Sequence, residues 1–111
     1  MYKEFDRTLR FEEKGETIEE VFNKMFSQIR NKLSYEIKDL IIRIEPKDIE
    51  VVEAKKVVFT ERFLGLFFPR KRNLYKVKAM ITVRVGVIEI SQIKFEEIDD
   101  TPTLLKQFLK I

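Results

Sequence analysis

The sequence predicts an α+β fold. An antiparallel sheet of four to five strands carries one long helix, about residues 17–33, across one face, and a short helix ends the chain. The expected order is β-α-β-β-β-(β)-α. Three observations lead there. Apolar residues from Ile18 to Leu33 recur at helical spacing. The segments on either side alternate apolar and charged residues with the period of a half-buried strand. No linker, repeat or low-complexity tract divides the chain, so residues 1–111 are expected to form a single domain with a real core.

Residues 2–12 read as the first strand, with Phe5, Leu9 and Phe11 in one row and Arg7 as its polar exception. Lys14-Gly15 ends it. Thr17-Ile18-Glu19-Glu20 then reads as a capping box. The threonine hydroxyl is placed to accept from the amide three residues on, and the Glu20 carboxylate can reach back. Ile18, Val21, Phe22, Met25, Phe26, Ile29 and Leu33 form one apolar helix face, and Ser34 is expected just beyond the helix end. Residues 36–45 read as a second strand. Pro46-Lys47-Asp48 reads as a turn, and residues 49–62 as a third strand completing a hairpin. The apolar phase of that third strand shifts near Val51-Val52 and again between Ala54 and Val57, which indicates a bulge.

The strongest strand follows. Tyr75, Val77, Ala79, Ile81, Val83 and Val85 fall on one face. Lys76, Lys78 and Arg84 lie opposite, expected on a solvent face beside acids such as Glu50 and Glu53. Gly86 suggests a bulge or bend. Residues 87–96 either continue this strand or form another. Asp99-Asp100-Thr101-Pro102 reads as a helix start, followed by Leu104, Leu105, Phe108 and Ile111 on an apolar face.

Composition narrows the chemistry. The chain has neither Cys nor His, so disulfides, thiolate and imidazole metal sites, and imidazole general bases are excluded. A metal site would have to be built from carboxylates and would favour hard ions. The acidic pairs Glu12-Glu13, Glu19-Glu20, Glu96-Glu97 and Asp99-Asp100 read as caps or solvated surface rather than as catalytic dyads. Gly15, Gly65 and Gly86 are isolated, so no phosphate-cradling loop is present. No catalytic, cofactor-binding or metal residue is assigned, no cofactor is expected, and a non-enzymatic protein is favoured. The longest apolar run, residues 63–69, is far short of the roughly 20 residues of a spanning helix, and the first residues lack a signal-peptide stretch. A cytoplasmic protein with no transmembrane segment is expected.

One segment carries a functional signal. Phe63, Leu64, Leu66, Phe67 and Phe68 adjoin Arg70, Lys71 and Arg72, between two strand-like segments where a polar turn is the norm. With 22 basic and 19 acidic residues, those three cations equal the whole +3 excess. Core or oligomer packing ranks first, with the chain a homo-oligomer. Contact with a protein partner or an anionic membrane ranks second. Nucleic acid ranks last, because consecutive Phe and Leu suit oil better than bases.

The stretches Gly15–Ile29 (GETIEEVFNKMFSQI) and Thr60–Arg72 (TERFLGLFFPRKR) resemble a small uncharacterised bacterial family, a domain of unknown function. The resemblance spans most of residues 5–95 and leaves the last helix outside. It implies an accessory role near membrane-transport and sugar-acid metabolism genes, and hence a membrane-transport component as partner. It carries over no functional residue. The strand–helix–strand–strand order also looks like dodecin-type oligomers that bind small ligands, although this chain has no Trp to stack on a flavin.

Overall fold

Along the chain run β1 (Tyr2–Gly15), α1 (Ile18–Glu36), β2 (Leu40–Phe63) and β3 (Phe68–Ile88), followed by a 3₁₀ turn at Ile90–Gln92. The computed structural model describes residues 1–63, 68–99 and 108–109, and of residues 62, 63, 68 and 69 the backbone alone. The strands form one antiparallel sheet in the order β1-β3-β2. The coarse class is therefore the α+β arrangement expected from the sequence.

The strongest alternating segment lies in the centre. Val77, Ala79, Ile81, Val83, Val85 and Val87 of β3 are all buried on one face. Apart from Ala79 they are β-branched, which suits a pleated surface covered by other residues. Leu9 and Phe11 of β1 stand opposite Ile81 and Ala79 and extend this floor. Val21, Met25, Ile29 and Leu33 recur at the helical period and seat α1 on it. Each such aliphatic side chain, fully buried, contributes about 1.5–3 kcal/mol.

The helix starts where the capping box places it. Thr17 Oγ1 accepts from the Glu20 amide at 3.1 Å. The Glu20 carboxylate reaches back to the Glu16 amide at 2.9 Å, one residue earlier than in the standard box. Its C-terminal end differs from expectation: α1 runs to Glu36, and Ser34 lies within it, donating to the Arg30 carbonyl.

The second and third strands expected from the sequence are one strand. β2 runs unbroken for 24 residues, and Pro46-Lys47-Asp48 is not a turn. The sheet has three strands among the described residues, and the order is β-α-β-β. Pro46 is tolerated because β2 is an edge strand and the register slips there. Register shifts fall between Ile41 and Arg43, Pro46 and Asp48, and Val51 and Glu53. Each inserts one residue, so the positions opposite the buried row of β3 become Ile41, Ile44, Pro46, Ile49, Val51 and Ala54. Their steps alternate between three and two residues, which breaks the simple alternation that marks a strand.

Gly86 carries no bulge of its own. β3 continues to Ile88, and the slip lies opposite, in β2. A side chain at Gly86 would collide with the Tyr2 hydroxyl and crowd Arg43. Residues 87–96 form no separate strand: after Ile88 come the 3₁₀ turn and irregular backbone. Thr101, Pro102, Leu104, Leu105 and Ile111 of the expected last helix lie outside the described residues. Phe108 and Leu109 are helical and exposed.

The molecule is long, at 77 × 37 × 15 Å, with a radius of gyration of 24.0 Å. A compact chain of this size has a radius of about 13 Å. The length follows from β2, since 24 residues at about 3.3 Å each reach roughly 80 Å. β1 accompanies β3 only as far as Gly15↔Tyr75. Beyond that point β2 and β3 continue alone, from Val57↔Leu74 to Phe63↔Phe68. This two-stranded arm extends about 23 Å past the body at the usual strand rise.

Candidate interaction surface

The arm places the segment singled out in the sequence at its far end. Phe63 and Phe68 are the last paired residues, and Leu64, Leu66 and Phe67 lie outside the described residues. Thr60 stands opposite Lys71, and Glu61 opposite Arg70. Arg70 and Lys71 are exposed. Arg72 is not a free cation: its guanidinium bonds Glu61 at 2.6 Å and Glu16 at 3.0 Å. Glu16 lies between β1 and α1, so Arg72 ties the base of the arm to the body. The cationic run is thus one strut and two exposed charges.

Sequence reasoning missed the side of the arm. Val57 is 39% exposed, Val58 59% and Phe59 43%. Three successive β-formers left this open to water are unusual on a strand without a neighbour. The signal was present in Lys55–Arg62, a run of β-formers flanked by charges. Sequence alone does not mark it as an open edge, because a turn at Pro46 places these residues inside a short hairpin.

The sheet's edges are unequally protected. On the β1 side, Lys24 Nζ donates to the Lys14 carbonyl at 2.7 Å and Lys32 Nζ to the Arg10 carbonyl at 2.9 Å. Lys32 also lies 4.2 Å from the centre of the Phe11 ring. The first half of β2 carries the three slips and Pro46, all of which disrupt edge pairing. From Glu53 to Phe63 the register is regular and no proline intervenes. Both sides of the arm lack a neighbouring strand among the described residues.

The two sheet faces also differ. On the face away from α1, Lys78 reaches Glu53 at 3.3 Å and Arg43 reaches Glu45 at 3.0 Å. Lys78 and Arg84 of the basic row are therefore matched by acids on neighbouring strands, Glu53 among them, whereas Lys76 stands between Lys14 and Lys55. On the helix face, α1 packs on β1 and β3 rather than β2. Ile18, Phe22, Val51, Ala54, Tyr75 and Val77 consequently line an open apolar groove of about 300 Å³ beside α1.

Titrating groups follow local bonds. The Glu16 amide, and then Lys24, hold the Glu20 carboxyl below its ordinary value. The hydroxyl and amide of Ser91 do the same for Asp39, at 2.5 and 3.1 Å. Lys55, and then Lys78, lower Glu53, and Glu53 in return raises Lys55. These are structural contacts on the surface. Among the described residues, no group of three acidic side chains is placed to hold a metal ion, and no helix is long and apolar enough to cross a membrane.

Fold and surface together define a class: a small α+β domain whose sheet is drawn out into a two-stranded arm. The chain belongs to the family described as Domain of unknown function (DUF4312), which matches residues 5–88. The match ends at the last residue of β3 and includes the whole arm. The resemblance seen in Gly15–Ile29 and Thr60–Arg72 is borne out at that level. No curated protein and no solved structure matches the chain.

Proposed function

We propose that this protein is a non-enzymatic cytoplasmic accessory or assembly module that self-associates, or docks a partner, through the arm that ends in Phe63–Asn73. The observation that carries this reading is the arm itself. Seven residue pairs, from Val57↔Leu74 to Phe63↔Phe68, extend beyond the last residue of β1. A two-stranded ribbon is marginally stable in water unless another element covers it. Val57, Val58 and Phe59 gain from burial at about 25 cal/mol per Å² of apolar surface removed from water. A second copy is the simplest source of that cover. A protein partner, including a membrane-transport component, is the alternative occupant. The anionic-surface alternative is the weaker one, because Arg72 is committed to Glu16 and Glu61 and only Arg70 and Lys71 remain exposed.

Light scattering on the wild type and on Phe67→Ser/Phe68→Ser tests the reading. The wild type is expected to exceed the 13.4 kDa chain mass and the variant to approach it. A monomeric wild type with the same melting temperature as the variant would contradict self-association through this segment.

A further inference from the structure

We infer that two copies pair through the edge of β2 along the arm, antiparallel about a two-fold axis at Val58, so that their sheets join into one. This rests on the self-association reading above and specifies its geometry. Residues 53–63 are the longest stretch of β2 whose register with β3 is uninterrupted, and Val58 is its midpoint. Pairing centred there uses the whole regular stretch and stops at the slip beside Val52. A two-fold axis perpendicular to the sheet also requires facing residues to share a face, which only registers centred on a residue satisfy.

Charge selects among those registers. Centred on Val58, Lys55 of each copy faces Glu61 of the other, Val57 faces Phe59, Lys56 faces Thr60, and Val58 faces itself. Lys55, Val57, Phe59 and Glu61 stand opposite Lys76, Leu74, Arg72 and Arg70, so all four lie on the sheet face away from α1. Moving the centre to Phe59 sets Lys56 against Arg62. Moving it to Val57 sets Glu53 against Glu61. Like charges directly opposite destabilise a strand pair, whereas opposite charges and an aromatic–β-branched pair favour it. The other edges suit this pairing less. β1 is covered by the lysines of α1, and the first half of β2 carries the slips and Pro46. The β3 side of the arm, residues 68–74, contains Pro69 and would set Arg70 of one copy against Arg72 of the other about its midpoint at Lys71.

The chain has no cysteine, so one introduced thiol reports a single contact. Val58→Cys and Asn73→Cys, the latter on the opposite side of the arm, are oxidised at low protein concentration beside the wild type in sedimentation runs. Directly opposed strand residues lie about 4.5–5.5 Å apart at Cα, within reach of a disulfide. Val58→Cys is expected to form a covalent dimer and Asn73→Cys not to. Lys55→Glu is expected to weaken the dimer at least several-fold, and Lys55→Gln to weaken it less. A wild type that dimerises while Val58→Cys fails to cross-link, or a cross-link at Asn73→Cys instead, overturns this geometry and leaves self-association through the arm standing. A monomeric wild type overturns both.

Discussion

At the scale of single residues, the structure is held by short-range bonds whose loss is measurable. Thr17 is the clearest. Its hydroxyl satisfies the Glu20 amide at the start of α1, and four residues of that helix sit in the core. Thr17→Ala is expected to cost about 1 kcal/mol in unfolding free energy, the usual value for an N-cap. Chemical denaturation checks it, with Thr17→Ser retaining most of the stability. Three carboxyls set the acid response. Glu20, Asp39 and Glu53 all have folded pKa values below their ordinary 4.5, 3.8 and 4.5. A depressed folded pKa means the unfolded chain binds protons first as pH falls. The stabilisation from these groups is therefore complete above the ordinary values and is lost as pH drops through the folded ones. Melting temperature is expected to hold from pH 7 to about 5 and to decline below that. Asp39→Asn should make the decline shallower, and an unchanged slope would show that the Ser91 contact contributes nothing.

At the scale of elements, legibility tracked simple periodicity. α1, β1 and the central run of β3 could be read because each follows one period over its length. β2 could not, because its inward positions step by three and two residues across three slips. A proline at the second slip then looked like a turn. The cost was the site as well as the strand count: with β2 cut at Pro46, residues 57–63 became part of a short hairpin rather than an arm reaching past β1. Phe63–Asn73 was recognised from its composition, which does not depend on register. The edge at Val57–Phe59 was missed because edge status is a tertiary fact. The arm also makes an exchange prediction. Amides of residues 56–62 should exchange faster on dilution, as pairing with a second copy is lost, while those of 77–87 in the central strand stay protected. Hydrogen exchange at two protein concentrations checks this. Equal behaviour of the two segments would mean the arm gains no cover from association.

At the scale of the whole molecule, the proportions are the main fact. A radius of gyration of 24.0 Å, against about 13 Å for a compact chain of this size, describes a body with an extension rather than a closed globule. The core lies where α1 covers β1 and β3, and the rest of the sheet is left with one charged face and one partly uncovered apolar face. On the proposed reading, assembly buries surface that a single chain leaves open. The most direct measurement is the mass of the wild-type chain by sedimentation equilibrium over a wide concentration range. A reversible approach to twice the 13.4 kDa chain mass is the predicted result. A single 13.4 kDa species at every concentration would contradict self-association through the arm.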